Sequence, residues 1–233
     1  MSAAYRAGVR IGEQYRAGRE RVLTLAADIT DDQAAAPVPA CPEWRVKDVY
    51  AHLSGVVADI LAGQLDGVAT DPWTARQVAE RADWSLGEIC TEWTTNACTL
   101  EAMLATVDDD LVDPRLVIDE WTHEQDIRGA LGRPGARDLP VVAFAVRHLA
   151  AGIGEYWKEA GLAPVGLAGD TASYVLGDGE PVATLRAPDF ELARLLLGRR
   201  STAQVAALDW TADPGPAVDH LHVFGPATAD VVE

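Results

Sequence analysis

Arg115-Leu116-Val117-Ile118-Asp119-Glu120-Trp121-Thr122-His123-Glu124-Gln125-Asp126-Ile127-Arg128-Gly129-Ala130-Leu131-Gly132 reads as one helix. It has no internal proline, glycines stand where a helix would stop, and Pro134 follows. At about 100° per residue, Leu116, Ile127, Ala130 and Leu131 share a face; Asp119, His123 and Asp126 lie on or beside it. Val117, Trp121, Glu124 and Arg128 lie roughly opposite. A carboxylate and an imidazole on an apolar face need a reason, because a buried charge is costly unless it is paired or bound to a cation. Asp119 and His123, at i and i+4, have the spacing that lets two side chains converge on one metal ion. The plain alternative is that they hydrogen-bond each other or face a wet cleft.

A second helix carries the same anomaly. From Val46, after Cys41-Pro42-Glu43-Trp44, the apolar positions Val49, Leu53, Val56 and Ile60 recur at helical spacing, and His52 sits among them. A lone histidine on such a face is most simply a packed core residue. Facing Asp119 and His123 across a bundle, it would complete a set of two nitrogens and one oxygen. Three protein ligands with one position left open is the arrangement of catalytic rather than structural zinc. Asp126, one turn after His123, is placed to orient a ligand from behind.

These stretches resemble a known family. Cys41-Pro42-Glu43-Trp44, then Asp48 and Ala51-His52-Leu53, are similar to the C-P-x-W…D-x-x-A-H-L signature of actinobacterial mycothiol-dependent maleylpyruvate-isomerase-like proteins. Trp121-Thr122-His123-Glu124-Gln125-Asp126-Ile127-Arg128, with Ala130-Leu131-Gly132, resembles the second signature, W-x-H-x-x-D-I-R…A-L-G. Leu197-Gly198-Arg199-Arg200-Ser201 with Gln204 is a third match. The resemblance implies a mainly α chain: a DinB-like antiparallel four-helix bundle holding a divalent metal, usually zinc, then a small α+β domain like a sterol-carrier protein. It also implies the low-molecular-weight thiol mycothiol as cofactor or co-substrate. The chemistry implied is addition of the thiolate to a cis enedione acid, rotation about the former double bond, and elimination of the trans product. Thiol transfer to electrophiles is the second chemistry of the wider superfamily.

One departure matters. The family's carboxylate ligand is usually Glu, four residues before the second His, and Asp119 stands there. Asp is one methylene shorter, so the neighbouring Glu120, which also borders the apolar face, remains the alternative ligand. Arg199 and Arg200 are the candidates for gripping an anionic substrate or thiol, since a guanidinium holds a carboxylate through two parallel hydrogen bonds. The competing reading is that both cap the preceding helix. The expected function is a metal- and thiol-dependent isomerase or S-transferase acting on a small electrophilic, anionic substrate. The alternatives are a non-catalytic metal- or small-ligand-binding module and a metal-free scaffold.

The rest of the chain bounds these readings. Its 233 residues allow a sizeable core in one large or two small domains. A formal charge of −17 argues against nucleic acid or anionic membrane as partners, since both attract basic surfaces. No apolar run spans a bilayer, and the N-terminus, with Arg6, Arg10, Glu13, Arg16 and Arg19, lacks a signal-peptide core; a cytoplasmic protein is expected. Three cysteines are too few for a disulfide framework. Cys90 and Cys98 read as core packing, and Cys41 as structural rather than nucleophilic.

The pattern predicts a first helix over 3 to about 30, with its arginines on a solvated face, and a break at Ala36-Pro37-Val38-Pro39-Ala40. A second helix runs from Val46 to near Gly63 or Gly67, Thr70 to Trp73 form a turn, and a helical segment follows through Val78-Ala79. A third core helix covers Leu86 to Val107, then Asp108-Asp109-Asp110 connects to the helix described first. Another helix, Pro140 to Ala160, carries His148 as a packing or edge residue and closes a 1–160 bundle domain. Gly161 to Pro164 opens a 161–233 α+β domain. There, Tyr174 to Leu176 and Val182 to Ala187 read as strands around a Gly177–Glu180 turn. Asp189 is read as the N-cap of a helix ending at Gly198, and Ser201 with Gln204 as a capping box. Leu221 to Phe224 is a faint last element, and His220 and His222 are not spaced to share a ligand.

Overall fold

A computed structural model describes residues 10–233. The expected start of the first helix at residue 3, with Arg6 and Val9, lies outside the described residues. Contacts divide the chain into two compact units, Met1–Pro134 with Glu233, and Gly135–Val232. The reading from sequence put the division at 160/161; here the helix Pro140–Glu159 packs within the second unit.

In the first unit, α1 (Ile11–Ala26), α3 (Val46–Ala62), α5 (Leu86–Leu104) and α6 (Arg115–Leu131) form a ring of contacts, α1 on α5 and α6, and α3 on α5 and α6. This is the expected four-helix bundle. Each long helix buries one stripe: Ile11, Tyr15, Gly18 and Val22 on α1, and Ile89, Trp93, Ala97 and Leu100 on α5. Polar groups pin the stripes together. Trp93 donates to the Tyr15 hydroxyl at 3.0 Å, and Tyr50 donates to the Val22 carbonyl at 2.9 Å. The helices stop as their chemistry requires, α3 at Gly63 and α6 at Gly132, both left-handed.

Several details differ from the sequence reading. The break at 36–40 is a small hairpin, β1 (Pro37–Val38) paired with β2 (Cys41–Arg45), which runs directly into α3. One short helix went unread, α2 (Asp31–Ala34), and the helical segment expected through Val78-Ala79 is α4 (Asp71–Glu80), which starts earlier, where a turn was expected at Thr70–Trp73, with Pro72 in its first turn. The arginines of α1 are not simply solvated. Arg19 and Arg16 pair with Glu101 of α5, and Arg21 pairs with the fully buried Glu124 of α6 at 2.8 Å. Glu124 also takes Arg128, so its charge is doubly compensated. Helix α6 is therefore buried also on the side opposite Leu116 and Ile127, where Val117, Trp121 and Glu124 lie, while Leu116, Ala130 and Leu131 are only half-buried. Cys98 is exposed rather than in the core, and Cys90 is half-buried, burial pushing its thiol up to about 11.

In the second unit, α7 (Pro140–Glu159) packs on α8 (Asp189–Leu196) and on a four-stranded sheet. The expected strands are present as β4 (Ser173–Leu176) and β5 (Ala183–Arg186), but they are not neighbours. An unread strand, β3 (Val165–Ala168), lies between them, antiparallel to β4 and parallel to β5, and β6 (Asp209–Trp210) closes the order β4-β3-β5-β6. Pro188, not Asp189, holds the N-cap position of α8; Asp189 instead accepts from Asp170 N and Thr171 Oγ1. The Ser201–Gln204 capping box opens α9 (Thr202–Ala206) as expected. Leu221 to Phe224 forms neither helix nor strand. Among the described residues, no helix is long and apolar enough to cross a membrane.

Candidate metal centre

The first unit brings His52 of α3 and Asp119 and His123 of α6 together. Their donor atoms all lie within 4.8 Å of one another. His52 Nε2 is 3.2 Å from Asp119 Oδ2, and His123 Nε2 is 3.5 Å from Asp119 Oδ1. Both imidazoles are buried, while the Asp119 side chain keeps 37% of its surface, so the group opens to solvent on the carboxylate side. Trp44 of β2 roofs the pair, its ring centroid 5.1 Å from that of His52 and 5.6 Å from that of His123.

Each ring is braced from behind. His123 Nδ1 lies 2.9 Å from Asp126 Oδ2, the supporting contact anticipated from the i, i+3 spacing. Asp126 also accepts from the Cys41 thiol at 3.3 Å. His52 Nδ1 lies 2.8 Å from Gln77 Oε1. Neither Gln77 nor its partner Asp59 was anticipated. The available signal was in α4, whose buried residues are Trp73 and Gln77, at i and i+4 on one face.

The donors suit a cation. A carboxylate only accepts, so His123 Nδ1 carries the ring proton facing Asp126. In the neutral ring Nε2 is then a bare lone pair aimed at the Asp119 carboxylate. Two acceptors facing each other repel unless a positive ion lies between them. Burial, outweighing the pull of Asp119 and Asp126, holds His123 below its ordinary pKa and so favours the neutral, ligating ring. Two imidazole nitrogens and one carboxylate oxygen suit zinc.

Glu120, the alternative ligand, is elsewhere. It points to α1, where a Cβ on Gly18 would come within 2.2 Å of its Oε2, so that glycine makes the room it occupies. Burial raises its carboxyl well above the ordinary range against the pull of Arg21, and its Oε1 finds no hydrogen-bond partner among the described residues. A second donor group, Cys41, His123 and Asp126, shares His123 with the first. Of the Asp108–Asp110 run, Asp109 accepts from Ile11 N at 3.0 Å, capping α1.

The family model of the mycothiol maleylpyruvate isomerase N-terminal domain matches residues 15–128. Over these residues the chain carries that family's N-terminal domain. Both helical signatures of the isomerase family now have physical roles. Trp44 covers the two rings, and Cys41 reaches Asp126. Asp48 accepts from the Arg45 backbone at 2.9 Å and starts α3; although burial opposes its charge, the Arg45 hydrogen bonds hold its carboxyl below the usual range. Trp121 and Ile127 are core, and Arg128 pairs with Glu124.

The chain is similar in fold to the crystal structure of the mycothiol-dependent maleylpyruvate isomerase, with a TM-score of 0.57 and 12% identity, covering 88% of this chain and 92% of that one. A histidine-to-alanine variant of that protein matches at 0.58, with the same identity and coverage. At this identity the likeness is one of fold: the DinB-like bundle followed by a small α+β part. No curated protein sequence matches the chain.

Arg199 and Arg200 lie in the second unit, just after α8. Arg200 makes a two-pronged pair with Glu191, 2.5 Å from Nε and 2.8 Å from Nη2, and its Nη1 donates to the Arg199 carbonyl. Arg199 donates to the Leu197 carbonyl at 2.8 Å, a contact of the helix-capping kind. His148 is half-buried on α7. His220 contacts the Tyr156 hydroxyl and His222 accepts from Gly225 N.

Proposed function

We propose that this chain is a metal- and mycothiol-dependent enzyme of the maleylpyruvate isomerase type, acting on a small electrophilic anionic substrate by isomerisation or thiol transfer. The observation that carries this reading is the convergence of His52, Asp119 and His123 on one point with an open side. His52, Asp119 and His123 would hold the metal, with zinc best matched to the donors. When bound, such an ion favours the thiolate of a low-molecular-weight thiol near neutral pH and polarises a substrate oxygen.

The chain's own residues supply the rest. Asp126 and Gln77 keep both Nε2 atoms turned to the centre, and Trp44 shields the rings from water. Arg199 and Arg200 remain the candidates for gripping an anionic group, each already hydrogen-bonded within the second unit. Small molecules are the partners this reading calls for, in a cytoplasmic setting, and the acidic composition argues against nucleic acid or an anionic membrane.

The test is turnover by zinc-loaded protein of maleylpyruvate with mycothiol, and separately of a generic electrophile with mycothiol. Product from either reaction, abolished in His123→Ala, is expected. Full zinc occupancy with no turnover of either would favour the metal- or ligand-binding module.

A further inference from the structure

Gln77 is a wholly buried polar side chain outside the donor set. It is packed into a gap that α3 leaves at Gly55, where a Cβ would come within 2.6 Å of Gln77 Cβ. Its backbone carbonyl takes Arg81 Nη1 at 3.0 Å. At its far end the amide nitrogen donates to Asp59 Oδ2 at 2.6 Å, and Arg76 Nη2 donates to the same oxygen at 2.9 Å. At its near end the amide oxygen faces His52 Nδ1 at 2.8 Å.

An amide can turn either end toward a neighbour, whereas a carboxylate can only accept. The Asp59 carboxylate therefore determines which way the Gln77 amide points, with the nitrogen to Asp59 and the oxygen to His52. A carbonyl oxygen also only accepts, so His52 Nδ1 must carry the ring hydrogen. In the neutral ring the lone pair then lies on Nε2, the atom 3.2 Å from Asp119. Had the amide been reversed, Nδ1 would hold the lone pair and Nε2 would present a hydrogen to the centre, which no metal can use.

We propose that Asp59, acting through Gln77, sets the tautomer of His52 and thereby makes it competent to bind the metal. Asp59 and Gln77 are positioning residues: neither donates to the centre, and Asp59 does not touch the imidazole. The idea rests on the metal reading above, but its first consequence exists without metal.

The experiment uses the full chain labelled with nitrogen-15 at histidine, metal-free, with the His52 ring read by long-range proton–nitrogen correlation. Wild type is expected to show a protonated Nδ1 and a bare Nε2. In Asp59→Leu the amide is free to reverse, a substantial Nε2–H population is expected, and zinc affinity against a chromophoric chelator falls about 10-fold. Adding Gln77→Glu to Asp59→Leu restores an obligate acceptor and the net charge, so tautomer and affinity return toward wild type. An Asp59 that served only packing would not be rescued in this way. Should Asp59→Leu not fold, Gln77→Met, similar in size and without an acceptor, is expected to give the Nε2–H form. Nε2–H in wild type, no change in Asp59→Leu, no rescue by Gln77→Glu, or retained Nδ1–H in Gln77→Met would each overturn the proposal. A chain with the Nδ1–H tautomer that binds no zinc would sink the metal reading alone.

Discussion

His52 and His123 face the same carboxylate, yet they are braced by different means. On the α6 side, Asp126 sets a full charge against the ring of His123 and takes the Cys41 thiol as well. On the α3 side a neutral amide touches His52, and the charge is kept one residue further away, on Asp59, where Arg76 compensates it. A carboxylate partner raises the basicity of an imidazole more than an amide does, so the α6 side depends more on a cation being present. The α3 side fixes a tautomer at little electrostatic cost, because its carboxylate is already paired. One centre thus combines a ring tuned by charge with a ring aimed by geometry.

The largest effects break the comparison outright. His52→Ala and His123→Ala each remove one of three donors and are expected to abolish stoichiometric zinc in elemental analysis, despite their different bracing. Asp119→Ala should fall with them. Glu120→Ala should keep its metal, because Glu120 faces Gly18 of α1 and not the centre. Zinc retained in Asp119→Ala and lost in Glu120→Ala would reverse the ligand assignment.

A smaller effect sharpens it. Asp126→Asn gives His123 the kind of support that His52 has, an amide in place of a carboxylate. The loss expected is about 10-fold in zinc affinity by chelator competition, near the lower end of what outer contacts contribute. Full-strength binding by Asp126→Asn would mean that the buried charge does nothing for the metal.

The contrast also explains what could be read from sequence. His52, Asp119 and His123 stood out because each breaks an apolar stripe at helical spacing, and a broken stripe is visible in one dimension. Gln77 and Asp59 did not stand out. Asp59 sits late in a helix where a carboxylate is unremarkable, and α4 mixes polar and apolar positions evenly, so one more glutamine offers no contrast. Their meaning comes from pairing across 18 residues, which no local period encodes. The same limit applies to the sheet. The strands β4 and β5 were found by their residues, but β3, with Gly166 in it and Pro164 beside it, resembled a linker. Its place between the other two is a fact of long-range pairing. Helix α6 went partly wrong for another reason. Only the face with Leu116 and Ile127 was read as apolar, and Arg21, 103 positions earlier, is what pairs with Glu124 inside on the opposite one.

The smallest effect bears on the last polar contact of the α6 side. Cys41 reaches Asp126 through a thiol, a weak donor, at 3.3 Å, so Cys41→Ala is expected to leave zinc stoichiometry unchanged and affinity within a few-fold of wild type. The variant matters because Cys41, His123 and Asp126 form a second donor group around the same imidazole. One histidine offers one lone pair in its neutral form, and His123 can turn only one nitrogen to a metal. If that nitrogen is Nε2, Asp126 holds the proton of Nδ1 and the thiol is a bystander. If it is Nδ1, the metal sits with sulfur and Asp126, and His52 loses its partner. Metal lost in Cys41→Ala but kept in His52→Ala would move the centre to the thiol side of the ring, and the difference between the two bracings would then have to be explained without a shared ion.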